Sequence, residues 1–303
     1  MSSLEVTLGA LSFSNPVLTA SGTFGYGSEF ADAVDLDRLG GIVVKGISLQ
    51  PSDGNPPPRI VETACGMLNS IGLENVGVDD FAANKLPFLK SLSCRCIVNV
   101  YGKTVEEYAI LAERLDCLDG VDAIELNISC PNVKAGGMAF GVDPAAAAAV
   151  VSGARSRTGK HLMVKLSPNV SDITLIAKSV QDAGADSISL INTLAGMAID
   201  INTRRPRLAN IIGGLSGPAV KPVALRMVWE TARAVEVPVV GIGGIMNAED
   251  ALEFLVAGAS AVQVGTANFI NPSVTMEILD GIEAFLDANG ISSVTEIIGS
   301  LET

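Results

Sequence analysis

A (β/α)8 TIM barrel is the fold class that the sequence predicts, as one domain over residues 1–303 with a short N-terminal β-hairpin and insertions over the C-terminal mouth. Three observations carry this expectation. Eight short apolar runs rich in β-branched residues are mostly separated by segments of helical period, the alternation that builds a parallel sheet. Hydrophobic residues make up 48% of the chain and aromatic residues only 4%, so the core is built from Val, Ile, Leu and Ala, as suits strands buried on both faces. Gly120-Val121-Asp122-Ala123-Ile124, Gly184-Ala185-Asp186-Ser187-Ile188 and Gly258-Ala259-Ser260-Ala261-Val262 each set a helix-ending glycine just before a strand, so one supersecondary unit recurs around a ring. A chain of 303 residues is long enough for two domains, but α/β barrels use this length as one.

In chain order, residues 4–13 alternate around Gly9 like a hairpin placed to plug the bottom of the barrel. The strands follow at Val17-Leu18-Thr19, Ile42-Val43-Val44, Cys96-Ile97-Val98-Asn99, Ala123-Ile124-Glu125-Leu126, Leu162-Met163-Val164-Lys165, Ser187-Ile188-Ser189-Leu190, Val239-Val240-Gly241-Ile242 and Ala261-Val262-Gln263-Val264. Thr104-Val105-Glu106-Glu107 is a capping box opening a helix whose Val105, Tyr108, Ala109, Ala112 and Leu115 share one face. A second helix runs from Ser171 through Ile173, Ile176 and Val180 to Gly184, and a third starts at Asn247 and stops at Gly258. The longest gap between strands, residues 46–95, carries a Pro-rich run and then Asn69-Ser70-Ile71-Gly72-Leu73. An insertion there lies over the barrel mouth.

A net charge of -13 argues against nucleic acid or an anionic membrane surface as partner, since both need a basic face. No apolar segment is long enough to span a bilayer, and Met1-Ser2-Ser3-Leu4-Glu5-Val6 does not read as a signal peptide. The five cysteines, Cys65, Cys94, Cys96, Cys117 and Cys130, form no CxxC pair and no ferredoxin-type run. A reducing cytoplasm fits this pattern best.

In such a barrel the working residues stand where the strands end. Those positions hold Ser21, Lys45, Asn99, Asn127, Lys165, Asn192 with Thr193, Gly243 with Gly244, and Gly265 with Thr266. All are polar or glycine, which points to a functional mouth. Gly241-Ile242-Gly243-Gly244 and Val264-Gly265-Thr266 end strands seven and eight, where loop and helix amides hold a phosphate in many barrels. Taken one at a time these glycines read as tight turns; together, at these strands, they point to phosphate binding. Lys45 and Lys165 each end an apolar strand, where a lysine either snorkels to solvent or faces an anion, and two of them in an acidic protein favour the anion. A Schiff-base lysine is a third reading. Asn69, Asn99, Asn127, Asn132 and Asn192 offer paired donors and acceptors suited to a flat ring bearing amides and carbonyls, against the alternative of turns and caps.

The chain has one histidine, His161, at the start of strand five and hence at the bottom of the barrel, so acid/base chemistry in the mouth needs another group. Cys130, in Asn127-Ile128-Ser129-Cys130-Pro131-Asn132, is the leading candidate, because a thiol serves as a base wherever its surroundings favour the thiolate. The bland alternative is a small buried hydrophobe, and the motif alone leaves both open.

Asn15-Pro16-Val17-Leu18-Thr19-Ala20-Ser21-Gly22, Val44-Lys45-Gly46, Asn69-Ser70-Ile71-Gly72-Leu73, Asn127-Ile128-Ser129-Cys130-Pro131-Asn132 and the Gly-Gly and Gly-Thr pairs together resemble the class 1 dihydroorotate dehydrogenases, most closely class 1B, the NAD-linked catalytic subunit. The likeness covers nearly the whole chain in order. Membrane-bound class 2 members use serine as the base and carry an N-terminal membrane segment, and this sequence has cysteine in that place. One departure stands out: Ile47-Ser48 follows Lys45-Gly46 where relatives often have a threonine.

The resemblance implies oxidation of (S)-dihydroorotate to orotate in de novo pyrimidine (UMP) biosynthesis, with one FMN in the barrel mouth. It implies flavin contacts from Ser21, Lys45, Gly46, Asn99, Asn127, Lys165, Ile191, Gly217, Gly243, Gly244, Gly265 and Thr266, and substrate contacts from Lys45, Asn69, Ser70, Ile71, Gly72, Leu73, Asn127, Asn192 and Thr193. Cys130 takes the C5 proton from one face while a hydride leaves C6 for flavin N5 on the other, and Lys165 stabilises the charge of reduced flavin. The resemblance also implies a homodimeric catalytic core in a heterotetramer with two partner subunits, each carrying FAD and a [2Fe-2S] cluster, that pass electrons to NAD+. The competing readings are a dihydropyrimidine dehydrogenase-like flavoprotein, which Lys45 disfavours because a neutral substrate needs no cation, a class I aldolase using Lys165, and a non-catalytic binding barrel, which the polar strand ends disfavour.

Overall fold

The computed structural model describes residues 2–129 and 140–303. Eight parallel strands close into a barrel: β1 (Val17–Thr19), β2 (Gly41–Val43), β3 (Arg95–Val100), β4 (Ala123–Asn127), β5 (His161–Lys165), β6 (Ser187–Leu190), β7 (Val239–Ile242) and β8 (Ala261–Val264). Each pairs with its neighbour in sequence, and β8 returns to β1 with Val262 opposite Val17. All eight runs expected from the sequence are barrel strands. Strand β2 is displaced by one residue, so Lys45 does not end the strand; it lies two residues beyond, its N–H donating to the Gly25 carbonyl at 2.9 Å.

Helices Val105–Asp116, Pro144–Arg155, Ile173–Asp182, Lys221–Ala232, Ala248–Val256 and Val274–Asn289 pack around the barrel. The segment after β1 forms only short 3-10 turns, Ser28–Phe30 and Leu36–Arg38. Thr104 caps its helix by accepting from the Glu107 N–H at 3.1 Å, but the Glu107 carboxylate takes the N–H of Lys103 at 2.6 Å instead of closing the box on Thr104. The next expected helix starts one residue late: Asp172, not Ser171, is its cap, accepting from Thr174 N–H at 2.9 Å. Asn247 caps the third expected helix through Asp250 N–H, as its sequence suggests.

The hairpin Val6–Leu8 and Leu11–Phe13 lies across the N-terminal ends of the strands. Its turn glycine, Gly9, has φ +58, and a Cβ there would sit 3.9 Å from the His161 ring. Leu8 and Phe13 are fully buried, each contributing roughly 1.5–3 kcal/mol by leaving water. Arg95 ties the plug to β3 by donating to the Ser12 carbonyl at 2.9 Å.

At the opposite face, two excursions build a four-stranded antiparallel sheet in the order Leu194–Met197, Ile212–Ser216, Gly66–Asn69, Ile60–Thr63. The second pair of strands belongs to the anticipated insertion after β2. The first pair comes from a second excursion after β6, whose Gly213-Gly214 and short runs give no alternating pattern to read.

Candidate active site

One cavity of 780 Å³ opens at the C-terminal ends of the strands, beneath the mouth sheet. Every described residue expected in the site lines it: Ser21, Lys45, Gly46, Asn69, Ser70, Ile71, Gly72, Leu73, Asn99, Asn127, Lys165, Ile191, Asn192, Thr193, Gly217, Gly243, Gly244, Gly265 and Thr266. Cys130 and Asn132 lie outside the described residues. Of the other cysteines, Cys94 and Cys96 are unsuited to base chemistry: burial pushes the Cys94 thiol up to about 12 and that of Cys96 higher still.

The β7 and β8 end of the cavity is made by backbone. Gly217, Gly243 and Gly244 have φ of +92, +127 and +76, conformations that L side chains rarely adopt. A Cβ on Gly244 would come within 2.7 Å of Lys221 Cβ, and one on Gly243 within 2.9 Å of Ala224 Cβ. Helix Lys221–Ala232, which follows Gly217, has no side-chain cap. Lys221 itself is turned away, its ammonium bound to Asp250 at 2.5 Å and Glu253 at 3.0 Å, which raises its pKa. Thr266 Oγ1 donates to Ser216 Oγ at 2.8 Å, joining the end of β8 to the mouth sheet.

The other end holds the cations and the amides. Lys165, only 6% exposed, makes no ion pair among the described residues. Lys45 is half-buried, and loss of solvation lowers its pKa; Glu74 opposes that shift and Arg59 adds to it. Arg59 and Glu74, which sequence reasoning missed, form an ion pair on the rim of the cavity. Asn192 Nδ2 donates to Asn127 Oδ1 at 3.1 Å, and Tyr108 fixes the Asn127 backbone by donating to its carbonyl at 2.7 Å. Ser129 Oγ donates to the Lys165 carbonyl at 2.9 Å, tying the end of β4 to the end of β5.

Residues 69–73 run from the mouth sheet across the cavity. Gly72 and Leu73 have φ of +78 and +60, and for leucine the left-handed region costs about 1–2 kcal/mol. Asn75 holds this turn. Its Nδ2 donates to the Leu73 carbonyl at 2.8 Å, while its Oδ1 accepts from Gly77 N–H at 2.8 Å and Ser48 N–H at 3.1 Å. Tyr101 adds a hydroxyl at 3.3 Å from the Leu73 carbonyl.

The dihydroorotate dehydrogenase family model matches residues 3–286, nearly all of the chain. The chain belongs to the dihydroorotate dehydrogenase family. Among its relatives is the dihydroorotate dehydrogenase B (NAD(+)), catalytic subunit of Geotalea uraniireducens, 61% identical over 300 residues, 99% of this chain and 98% of the relative. Proteins of the same name from Geobacter sulfurreducens and a Thermoanaerobacter species are 60% and 56% identical, each over 299 residues. Membership of the dihydroorotate dehydrogenase family agrees with the resemblance carried by the segments around Lys45, Asn69 and Asn127, and with the barrel.

A buried carboxyl group not expected from the sequence lies within this dihydroorotate dehydrogenase-family barrel. Glu125 is fully buried in β4, with Asn99, Ser189 and Gln263, also fully buried, turned onto its carboxylate. The signal was present: in Ala123-Ile124-Glu125-Leu126-Asn127 the alternation that turns Asn127 inward also turns Glu125 inward.

Proposed function

We propose that this chain is the FMN-bearing catalytic subunit of an NAD-linked dihydroorotate dehydrogenase, one barrel domain that oxidises (S)-dihydroorotate to orotate in pyrimidine biosynthesis. The observation that carries this reading is a cavity lined at one end by a glycine backbone and at the other by Lys45, Lys165 and the amides of Asn69, Asn99, Asn127 and Asn192, in a chain 61% identical to a protein of that name. The residues suit FMN. The glycines at 217, 243 and 244 line the cavity with backbone in positive-φ conformations suited to amide contacts with a phosphate, and Asn99 Oδ1 is a buried acceptor with no partner among the described residues, as expected under a ring that brings donors.

Bound there, FMN supplies the hydride acceptor. The remaining work falls to the chain. Gly217, Gly243, Gly244, Gly265 and Thr266 hold the phosphate, and Ser21, Gly46, Asn99 and Ile191 frame the ring. Lys165 offers its positive charge to the ring edge where negative charge develops, in a site that excludes most water. Lys45 pairs with the substrate carboxylate, aided by the backbone of residues 69–73, and Asn127, Asn192 and Thr193 orient the pyrimidine ring. Cys130 takes the C5 proton, an assignment resting on the resemblance because that residue lies outside the described segments.

The relatives' names describe a catalytic subunit and NAD(+). In this reading the electrons leave for NAD+ through a separate subunit carrying FAD and a [2Fe-2S] cluster, in a cytoplasmic heterotetramer built on a catalytic homodimer. Among the described residues no helix is long and apolar enough to cross a membrane.

The decisive experiment is anaerobic mixing of the purified, FMN-loaded chain with dihydroorotate. Bleaching of the flavin band is expected, with orotate as product. Cys130→Ala is expected to keep FMN and orotate but to slow bleaching by about 10²- to 10⁴-fold. A colourless protein that takes up no FMN and is trapped by borohydride with a carbonyl substrate would point instead to Lys165 Schiff-base chemistry.

A further inference from the structure

Beneath the cavity, the barrel holds a carboxylate that touches neither solvent nor the mouth. Glu125 Oε1 accepts from Ser189 Oγ at 2.7 Å and from Gln263 Nε2 at 2.8 Å, and its Oε2 accepts from Asn99 Nδ2 at 2.5 Å. Among the described residues three hydrogen bonds converge on its two oxygens, two from amides and one from a hydroxyl. A polar group buried this deeply is costly unless its hydrogen bonds are made. One of these partners also lines the cavity, which gives the carboxyl group a use.

The use lies in Asn99. An asparagine amide has two orientations that differ only in which end donates. Asn99 Nδ2 donates to Glu125 Oε2, so its NH2 faces down and its carbonyl faces up. Asn99 Oδ1 then lies against Gly46, where a Cβ would be only 2.7 Å away, and it has no partner among the described residues. Asn99 and Gly46 both line the cavity. The carboxylate therefore determines that the floor of the cavity presents an acceptor rather than a donor.

We infer that Glu125 is a positioning residue for the flavin: it fixes the Asn99 amide with its acceptor toward the ring. The inference rests on the FMN reading of the cavity. It goes beyond that reading because Glu125 does not line the cavity.

Glu125→Gln tests it at nearly constant volume. Glutamine must place an NH2 where the carboxylate accepted from Asn99, or else from Ser189 and Gln263. If it faces Asn99, that amide turns over and offers the cavity a donor. FMN affinity, read from quenching of free-flavin fluorescence, is expected to fall about tenfold or more, the loss of roughly one hydrogen bond to a buried acceptor. The reciprocal pair N99D/E125Q returns an acceptor at position 99 and a donor at position 125. It is expected to recover FMN affinity to within a few-fold.

A structural role alone would lower thermal stability without rescue of FMN affinity by the swap. Wild-type FMN affinity in E125Q would overturn the inference. So would a double variant that binds FMN no better than E125Q, or that fails to yield folded flavoprotein where E125Q has failed. Wild-type protein that takes up no FMN would instead overturn the function proposed for the cavity.

Discussion

Asn75→Asp should separate substrate binding from flavin binding, because it attacks the turn at Leu73 while leaving the glycine cradle untouched. Asparagine at this position both donates and accepts. Its Oδ1 serves Gly77 and Ser48, and its Nδ2 holds the Leu73 carbonyl at 2.8 Å. Aspartate retains the accepting half and replaces the donor with an oxygen facing that carbonyl. Leu73 then loses a hydrogen bond worth about 1 kcal/mol and gains an oxygen–oxygen repulsion of similar size. The left-handed conformation of Leu73, φ +60, already costs about 1–2 kcal/mol, so the balance tips toward release of the turn. Some 2 kcal/mol of lost preorganisation corresponds to roughly thirtyfold in orotate Kd, measured from the perturbation of the flavin spectrum. FMN affinity should stay within about twofold. Adding Leu73→Gly in the same chain should return part of the loss, since glycine takes positive φ without penalty. Unchanged orotate affinity alongside lowered thermal stability would show that the turn does not organise the substrate site.

The other predictions address the cradle, the cation and the plug. Gly244→Ala places a Cβ 2.7 Å from Lys221 Cβ at φ +76 and should abolish stable FMN retention, whereas Gly290→Ala, at φ +67 with open space around it, should cost about 1 kcal/mol in urea unfolding and leave FMN binding alone. Because desolvation holds Lys45 below its ordinary value of 10.5, orotate affinity should weaken as pH rises through a range below 10.5, and Lys45→Arg should flatten that profile; parallel curves for the two proteins would discredit the Lys45 ion pair. Burial lowers the His161 pKa below its usual 6.5. The unfolded chain therefore takes up the proton first as pH falls from about 6.5, and stability is lost through that window until the folded ring also titrates. His161→Gln should remove that component from the urea midpoint measured between pH 7.5 and 5.5.

The barrel was legible because its signals are local. Each strand is a short apolar run of Val, Ile and Leu, and caps such as Asn247 act within one helical turn. The mouth was legible for a related reason: a barrel places the C-terminal end of every strand on one face, so Asn127 and Lys165 declared themselves by position. The mouth sheet was not legible. Its strands from 66–69 and 212–216 are four or five residues long and find each other only across the folded barrel. Glu125 was missed for a different reason. A single carboxylate in an apolar run reads as a solvated residue until Ser189, Gln263 and Asn99 are seen converging on it from β6, β8 and β3. Arg59 and Glu74, 15 residues apart, meet only because the hairpin of Ile60–Thr63 and Gly66–Asn69 folds back between them, which no local periodicity shows.

The mouth sheet has a bearing on how the protein is made. Asn69 pairs with Gly214, 145 residues further along the chain. At the ordinary pace of synthesis, roughly 5–20 residues per second, the early hairpin leaves the ribosome some 7–30 s before its partner strand exists. Through that interval the Gly66–Asn69 strand presents an unpaired edge, with Ile60 on its exposed neighbour, to whatever else is in reach. The entrance to the site is thus a late joint between the two halves of the translation product. Slow synthesis across the second half would prolong the period in which a nascent chain is most prone to stick to another copy of itself.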